Sequence, residues 1–187
     1  MSDRSFRGLF FALALVGLLL DQTSKYLAFG LLPPNGQPQW VVDDIFNLEG
    51  HHEKDDPASP PKVNTGALFG FLRNTTFANA LFAAVSIAAA IAIVFWATLR
   101  STSRDWSLSA SLGLILAGTL GNLYDRIVFG GVRDFLHFHY RSFDWPVFNV
   151  ADVCLVIGAI LLLTQALFSR APAESKLLEM RQPVEVK

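Results

Sequence analysis

The stretch GNLYDRIVFGGVRDFLHFHYRSFDWPVFNVAD (residues 121–152) decides how this chain is organised. It lies between two long apolar segments, so the chain has to leave a membrane and re-enter it here. The stretch carries well-separated acids and amides: Asp125, Asp134, Asp152, Asn122 and Asn149. Asp152 lies near the start of an apolar run, and a carboxylate costs about 2.5–3.5 kcal/mol at the centre of a membrane helix and less near the interface. Acids at such positions indicate a functional site.

Composition places the chain among membrane proteins. Its 187 residues are 52% hydrophobic with a mean hydropathy of +0.38, which is too apolar for an ordinary soluble domain of this length. The net charge of −1 argues against a nucleic-acid partner, which would require a basic surface. The single cysteine, Cys154, excludes a disulfide framework and a cysteine-based metal site. Without an internal repeat, residues 1–187 are expected to form one membrane-embedded domain.

Four apolar segments are long enough to cross a bilayer as helices. The first resembles the apolar region of a signal peptide, but no small-residue cleavage motif follows and the apolar character resumes past DQTSK. Between the first two spans, WVVDDIF and FNLE have the composition of short strands. The expected fold class is an all-α integral membrane protein with four transmembrane helices. The predicted spans are about 8–30, 77–99, 106–124 and 150–168, followed by a polar cytoplasmic tail over 170–187.

Basic residues next to the spans indicate the orientation of the chain. Four spans place both termini on one side, and flanking positive charges assign that side to the cytoplasm: Arg4, Arg7, Arg100, Arg104, Arg170 and Lys176. The outer segments also contain lysines and arginines, so the asymmetry is modest. In this orientation Asp125, Asp134 and Asp152 all lie near the outer surface, where two acids that meet indicate acid–base chemistry.

A second polar pair, Asp21 and Lys25, interrupts the first span. The two residues are four apart and share a helix face, where an acid followed by a base stabilises the helix. We predict a structural ion pair near the interface, with direct participation in chemistry as the alternative.

Two histidine pairs raise the question of a metal site. His51 and His52 lie in a charged, proline-containing segment, and a solvated loop is favoured there because adjacent side chains rarely converge on one ion. His137 and His139 are spaced to share one face of a strand. They either bind a metal together with Asp134 or form an interfacial strand, and the strand is favoured. No metal site is predicted.

Each acid of the central stretch also has a purely structural explanation. Asn149 is a candidate N-cap of the fourth helix with Asp152 three residues later, an arrangement like a capping box. Asp125 and Arg126 are candidates for a local salt bridge, and Asp134 for a loop carboxylate. As a group, however, the acids and amides converge on one membrane face, which favours a shared site.

Four blocks of the sequence form an ordered set of motifs. DQTSK (residues 21–25) has the form D-x-x-[ST]-K, and NTGALFGF (64–71) is similar to N-T-G-A-A-F-[GS], with Leu68 in place of a small residue. GNLYDRI with GVRDF (121–135) has the form G-N-x-x-D-R followed by V-x-D-F, and FNVAD (148–152) the form F-N-x-A-D. In this order and over four spans, the chain resembles the signal peptidase II family, the lipoprotein signal peptidases.

The resemblance implies a membrane aspartyl endopeptidase whose catalytic acids are Asp134 and Asp152. It implies that the signal peptide is removed from diacylglyceryl-modified prolipoproteins by a cut before the lipidated cysteine, with no cofactor or metal. The family fold implies a small β-rich extracytoplasmic cradle beside the four helices. The supporting residues implied by the motifs are Asn64, Gly66, Asn122, Asn149, Arg126 and Asp125, with Asp125 holding Arg126.

The resemblance also implies the surroundings of the protein. It is expected in the bacterial cytoplasmic (inner) membrane, as a monomer in contact with lipid, with its site near the outer surface and lipidated prolipoproteins as its partners. An insert at about residues 48–62 precedes the second motif, and its conformation is left open.

Two other classes of function compete with a peptidase. A proton-coupled transporter, with Asp21, Asp125 and Asp152 as a relay, predicts acids distributed through the depth of the membrane. A structural scaffold requires none of the four motifs. Acids gathered at one side of the membrane favour the hydrolase.

Overall fold

A computed structural model of the chain describes residues 5–66 and 76–168. Four long helices run through these residues: α1 (Arg7–Leu31), α2 (Thr76–Thr98), α3 (Trp106–Phe129) and α4 (Val150–Phe168), with a short 3-10 turn at Thr102–Arg104. All four are long and apolar enough to cross a membrane. The predicted multi-pass helical architecture is therefore confirmed. Leu68 and the predicted tail over 170–187 lie outside the described residues.

The end of the third helix differs from the prediction. Helix α3 continues to Phe129 instead of ending near residue 124, so Asp125 lies inside the helix. The helix is capped at its start by Asp105, whose side chain accepts hydrogen bonds from the backbone N–H groups of Ser107 and Leu108. It ends at Gly130, which adopts the left-handed conformation with φ of 77° that commonly terminates helices.

Helix α3 is the most buried of the four spans, because the other helices pack around it. Small residues permit these close approaches. A Cβ on Gly118 would lie 2.3 Å from the carbonyl oxygen of Ala151 in α4, and one on Gly113 would lie 2.7 Å from the carbonyl oxygen of Phe10 in α1. The outward faces of α1, α2 and α4 carry exposed Leu, Ile, Val and Phe side chains, as expected of surfaces that face lipid.

Four short strands form an antiparallel sheet at one end of the helix bundle. They are β1 (Gln39–Val42), β2 (Phe46–Leu48), β3 (Leu136–Tyr140) and β4 (Phe143–Asp144), in the order β1-β2-β3-β4. Strand β2, from the α1–α2 connection, pairs with β3, from the α3–α4 connection, with Asn47 opposite His137. Isolated bridges join Asn64 to Val132 and Leu136 to Phe148. The expected β-rich cradle is therefore confirmed.

The insert is more ordered than the predicted exposed loop. Its charged tip is exposed, but His52 is only 4% exposed and packs edge-on against Phe29 of α1. His52 forms a β-bridge with Pro61, and the N–H of Lys62 donates to the carbonyl oxygen of His51. The prediction of an exposed loop therefore holds for residues 53–58 but not for His52, which packs against α1. Within residues 5–66 and 76–168, no three potential ligands are grouped to hold a metal ion.

Candidate active site

The start of α4 holds Asp152 through a reciprocal cap. The N–H of Asp152 donates to Oδ1 of Asn149 at 3.1 Å, and the N–H of Asn149 donates to Oδ2 of Asp152 at 3.1 Å. Two backbone donors at the beginning of the helix are thereby satisfied, which is the function of a capping box. The cap predicted from sequence is present, and it fixes the rotamer of Asp152.

Asp134 reaches the same asparagine from the segment that follows α3. Nδ2 of Asn149 donates to Oδ1 of Asp134 at 2.6 Å, and Nδ2 of Asn64 donates to Oδ2 at 3.1 Å. The neighbouring backbone is fixed on both sides, because Val132 pairs with Asn64 and the N–H of Phe135 donates to Phe148. Asn149 therefore binds the carboxylate of Asp134 through its side-chain amide and the carboxylate of Asp152 through its backbone N–H.

Asn122 of α3 connects the two acids to the interior of the bundle. Its Nδ2 donates to Oδ1 of Asp152 at 2.8 Å, and its Oδ1 accepts from Nδ2 of Asn149 at 3.2 Å and from Nζ of Lys25 at 3.2 Å. Since Lys25 offers only donors, it fixes which end of the Asn122 amide faces Asp152.

The electrostatic environment of Asp134 favours its protonated form. Burial away from water, followed by the nearby carboxylate of Asp152, raises the pKa of Asp134 to about 6. The hydrogen bonds from Asn149 and Asn64, and the charge of Lys25, act in the opposite direction. A carboxyl group that holds its proton more tightly, beside a second acid, is suited to act with that acid in acid–base chemistry.

Below the two acids lies a fully buried set of charges. Nζ of Lys25 is 2.9 Å from Oδ2 of Asp21 and 3.2 Å from Oδ2 of Asp125, and the side chains of all three residues have no exposed surface. Oδ1 of Asp21 accepts from the N–H of Ala151 at 2.8 Å, which ties α1 to the start of α4. The geometry of a structural ion pair between Asp21 and Lys25 is therefore present, with the two residues also connecting three helices.

The partner of Asp125 differs from the one expected. Arg133 donates to Asp125 from its backbone N–H at 2.9 Å, from Nε at 3.3 Å and from Nη2 at 2.9 Å. Its guanidinium carbon lies 4.4 Å and 4.1 Å from the ring centroids of Tyr26 and Phe129. The expectation that Asp125 holds Arg126 was wrong, because Arg133 and Lys25 occupy both of its oxygens. This pairing also disfavours a proton relay through Asp21 and Asp125.

Among the described residues, Arg126 keeps one buried donor without a partner. Its Nη1 makes a 3.3 Å hydrogen bond to the carbonyl oxygen of Asn122, and its guanidinium lies over the ring of Phe82 at 5.5 Å. Its Nε is buried and has no hydrogen-bond partner among the described residues. A buried donor without a partner is costly, and a bound carbonyl oxygen would satisfy it.

Gly66 is placed where only glycine fits. Its φ is +101°, and a Cβ there would lie 2.4 Å from the ring of Phe82. Its N–H donates to Oδ1 of Asn64 at 3.0 Å, which orients the Asn64 amide so that Nδ2 faces Asp134. All six residues expected to support the site therefore lie at this end of the bundle.

Comparison with known proteins identifies the family. The family model described as signal peptidase (SPase) II matches residues 13–168. This chain belongs to the signal peptidase II family. A lipoprotein signal peptidase of Dichelobacter nodosus is 39% identical over 165 residues, which cover 88% of this chain and 97% of that protein. One of Teredinibacter turnerae is 33% identical over 165 residues, which cover 88% of this chain and 90% of that protein.

Solved structures show the same fold. A bacterial membrane enzyme solved by the in meso method at 2.3 Å resolution superposes with a TM-score of 0.71 and 27% identity, covering 100% of this chain and 99% of that chain. A second, at 1.9 Å resolution, gives a TM-score of 0.73 and 27% identity, covering 91% of this chain and 99% of that chain. This chain therefore shares its overall fold with bacterial membrane enzymes.

A groove gives this signal peptidase II family member access to Asp134 from the sheet side. Its volume is about 360 Å³. Part of the insert and the segment before α4 form its walls. The lining residues are Glu49, His51, Lys62, Val63, Asn64, Asp134, Pro146 and Val147.

The histidines on β3 belong to the sheet surface. The rings of His137 and His139 stack with centroids 5.1 Å apart, so the two share a face as predicted. His137 contacts Asp144 at 2.8 Å and Glu49 at 3.4 Å, and His139 stacks on the ring of Trp40. These contacts fit the interfacial strand that the sequence favoured.

Proposed function

We propose that this chain removes signal peptides from lipid-modified prolipoproteins, using Asp134 and Asp152 as an aspartyl pair. The observation that carries the proposal is that one asparagine, Asn149, hydrogen-bonds both carboxyl groups at the end of a membrane-spanning bundle. Its relatives named lipoprotein signal peptidase support the same substrate class.

The reaction follows from the unequal environments of the two acids. Ionised Asp152 takes a proton from a water molecule, whose oxygen attacks the carbonyl carbon of the scissile peptide bond. Protonated Asp134 donates its proton to the carbonyl oxygen, so a neutral tetrahedral intermediate forms. When the intermediate collapses, the C–N bond breaks and the leaving amine takes the proton from Asp152. Asp134 takes a proton from a hydroxyl group of the intermediate as the carbonyl re-forms, which returns both acids to their starting states. General acid–base assistance of this kind supplies roughly 10²–10⁴-fold, and positioning supplies more.

The neighbouring groups position the substrate without competing for that proton. Arg126 offers donors to a backbone carbonyl oxygen and remains charged, and the amides of Asn122 and Asn149 do not titrate. Lys25 and Arg133 form ion pairs with the buried Asp21 and Asp125, so the buried acids already have partners of their own inside the bundle.

The location of the pair suits a substrate anchored in lipid. Diacylglyceryl chains on the cysteine stay in the bilayer, while the adjacent peptide bond reaches acids at the end of the bundle. In this proposal the protein is a monomer in the bacterial inner membrane, with both termini in the cytoplasm and the cut made before the lipidated cysteine.

The test is a comparison of two forms of one substrate. Purified protein is incubated with a diacylglyceryl-modified prolipoprotein and with the same prolipoprotein lacking the lipid, and the products are identified by mass spectrometry. We expect a released signal peptide, and a product that begins with the lipidated cysteine, from the first form only. Equal cleavage of both forms, or a cut elsewhere, would contradict the proposal.

A further inference from the structure

The groove beside Asp134 has a free backbone edge on each of its two walls. On one wall, Asn64 pairs with Val132 through both its N–H and its carbonyl oxygen. Neighbouring residues of an extended chain point these groups to opposite sides, so those of Val63 point away from Val132. Across the parts of the chain that the structure describes, the backbone of Val63 makes no hydrogen bond.

The opposite wall repeats this arrangement. Phe148 pairs with Leu136 of β3, and the preceding residue, Val147, makes no backbone hydrogen bond within residues 5–66 and 76–168. Both Val63 and Val147 line the groove, together with the catalytic candidate Asp134. The groove thus has a backbone donor and acceptor without a partner among the described residues on each wall, at Val63 and at Val147, next to Asp134.

We propose that the groove binds the substrate segment that follows the lipidated cysteine, as an extended strand added between Val63 and Val147. An exposed strand edge binds extended peptides through main-chain hydrogen bonds. This inference rests on the proposed function, because it takes Asp134 as the point where the peptide bond is cut.

The choice of segment follows from the chemistry of the groove. The signal peptide and the acyl chains are apolar and belong in the bilayer, against the exposed apolar faces of the helices. The groove instead opens beside the sheet, with Glu49, His51 and Lys62 on its rim. The polar chain that leaves the membrane after the cysteine is the part of the substrate that suits such a rim.

Main-chain recognition also has a consequence for specificity. Backbone hydrogen bonds do not depend on side chains, so a groove of this kind accepts substrates whose sequences differ after the cysteine. Only side chains that point toward the rim, at every second position, are constrained.

The test removes single backbone donors from the substrate. Synthetic diacylglyceryl-modified peptides are prepared with one N-methyl group at successive positions after the cysteine, and kcat/KM is measured for each. We expect losses of about fivefold or more, the value of one typical hydrogen bond, at two positions: the residue that pairs with Val63 and the residue that pairs with Val147. Because neighbouring residues point their N–H groups to opposite sides, these two positions are an odd number of residues apart, and the other positions are expected to show small effects. A matched series with ester linkages removes the same N–H groups without adding bulk, and is expected to show losses at the same two positions.

Three outcomes contradict the strand, and a binding measurement separates them from failure of the proposed function. No loss at any position, or equal losses at all positions, would overturn the inference, as would losses in the N-methyl series alone, which would indicate crowding. Binding of both series to an Asp152→Asn variant is measured in parallel. Weaker binding at the same two positions, without cleavage of the parent peptide by the wild type, would contradict the proposed function and leave the strand standing.

Discussion

At the scale of single residues, Asn149 connects the two acids. Its backbone N–H donates to the carboxylate of Asp152 while its side chain donates to Asp134. Asp134 is half-buried, and this burial is the main reason why its pKa is raised to about 6. Asn64 opposes that shift by donating to the charged form.

Replacing Asn64 with alanine is expected to shift the pH dependence of cleavage. Loss of a donor to the ionised carboxylate raises the pKa of Asp134 further, so the proton needed for catalysis is retained to higher pH. The alkaline limb of the pH profile of kcat is expected to move to higher pH by about 0.5–1 unit, which corresponds to the free energy of one hydrogen bond. Gln37→Ala, at an exposed position, serves as the control. A shift to lower pH would contradict the assignment of the proton to Asp134.

The residue that sequence reasoning missed is Arg133. It occupies the variable position of V-x-D-F, and no local pattern connects it with Asp125, which lies eight residues earlier in the sequence. Only the turn after α3 brings the two together. The grouping of Asp134, Asp152 and Asn149 followed from their motifs, because a capping box and a short connection leave little freedom.

Arg133→Met is expected to destabilise the protein severely. Without Arg133, the two buried acids Asp21 and Asp125 share a single cation, Lys25. Removing one partner of a buried ion pair costs about 3–5 kcal/mol of folding stability. Thermal unfolding in detergent measures the effect. Arg141→Met, at an exposed position on the sheet, is expected to unfold like the wild type. Equal stability of the two variants would show that Arg133 does not neutralise Asp125.

At the scale of elements, the position of α4 relative to α3 determines where Asp152 lies. The hydrophobic spans were predictable because apolar runs of this length have few alternatives. The end of α3 was not, because its last turns carry polar residues that face the protein interior instead of lipid. The pairing of β2 with β3 could not be predicted either, because α2 and α3 separate the two strands in the sequence.

Gly118→Ala is expected to displace α4 and reduce turnover. A Cβ at this position would lie 2.3 Å from the carbonyl oxygen of Ala151, so the start of α4, including Asp152, has to move. Gly30→Ala is the matched control, because nothing lies within 4 Å of a Cβ there. Alanine in place of an exposed helical glycine stabilises by about 0.5–1 kcal/mol, so the control is expected to be at least as stable as the wild type. Similar turnover of both variants would contradict the close α3–α4 contact.

At the scale of the whole molecule, every chemical group of the proposed mechanism lies at one end of the bundle. The sheet, the insert and the starts or ends of the four helices meet there. The basic residues that flank the spans predict that this end faces away from the cytoplasm. A topology experiment tests that assignment.

Reporter fusions are expected to show that the site faces outward. A reporter that is active only outside the cytoplasm is fused after Gly36 or Phe143, in the two connections that build the sheet, and after Ser103 or Ala173. The first two fusions are expected to be active and the last two inactive. The reverse pattern would place the acids at the cytoplasmic face.

The central claim is that Asp134 and Asp152 act as one unit on a lipidated substrate. Asp134→Asn, Asp152→Asn and the double variant are purified beside an Asp43→Asn control, whose acid is exposed in the turn between β1 and β2. Cleavage of a diacylglyceryl-modified prolipoprotein is then measured per folded molecule. We expect each single variant to lose nearly all activity, the double variant to be hardly worse than either, and the control to match the wild type, because residues that act as a unit are not additive. Near-normal turnover by Asp152→Asn would reduce that acid to a helix cap and contradict the aspartyl pair.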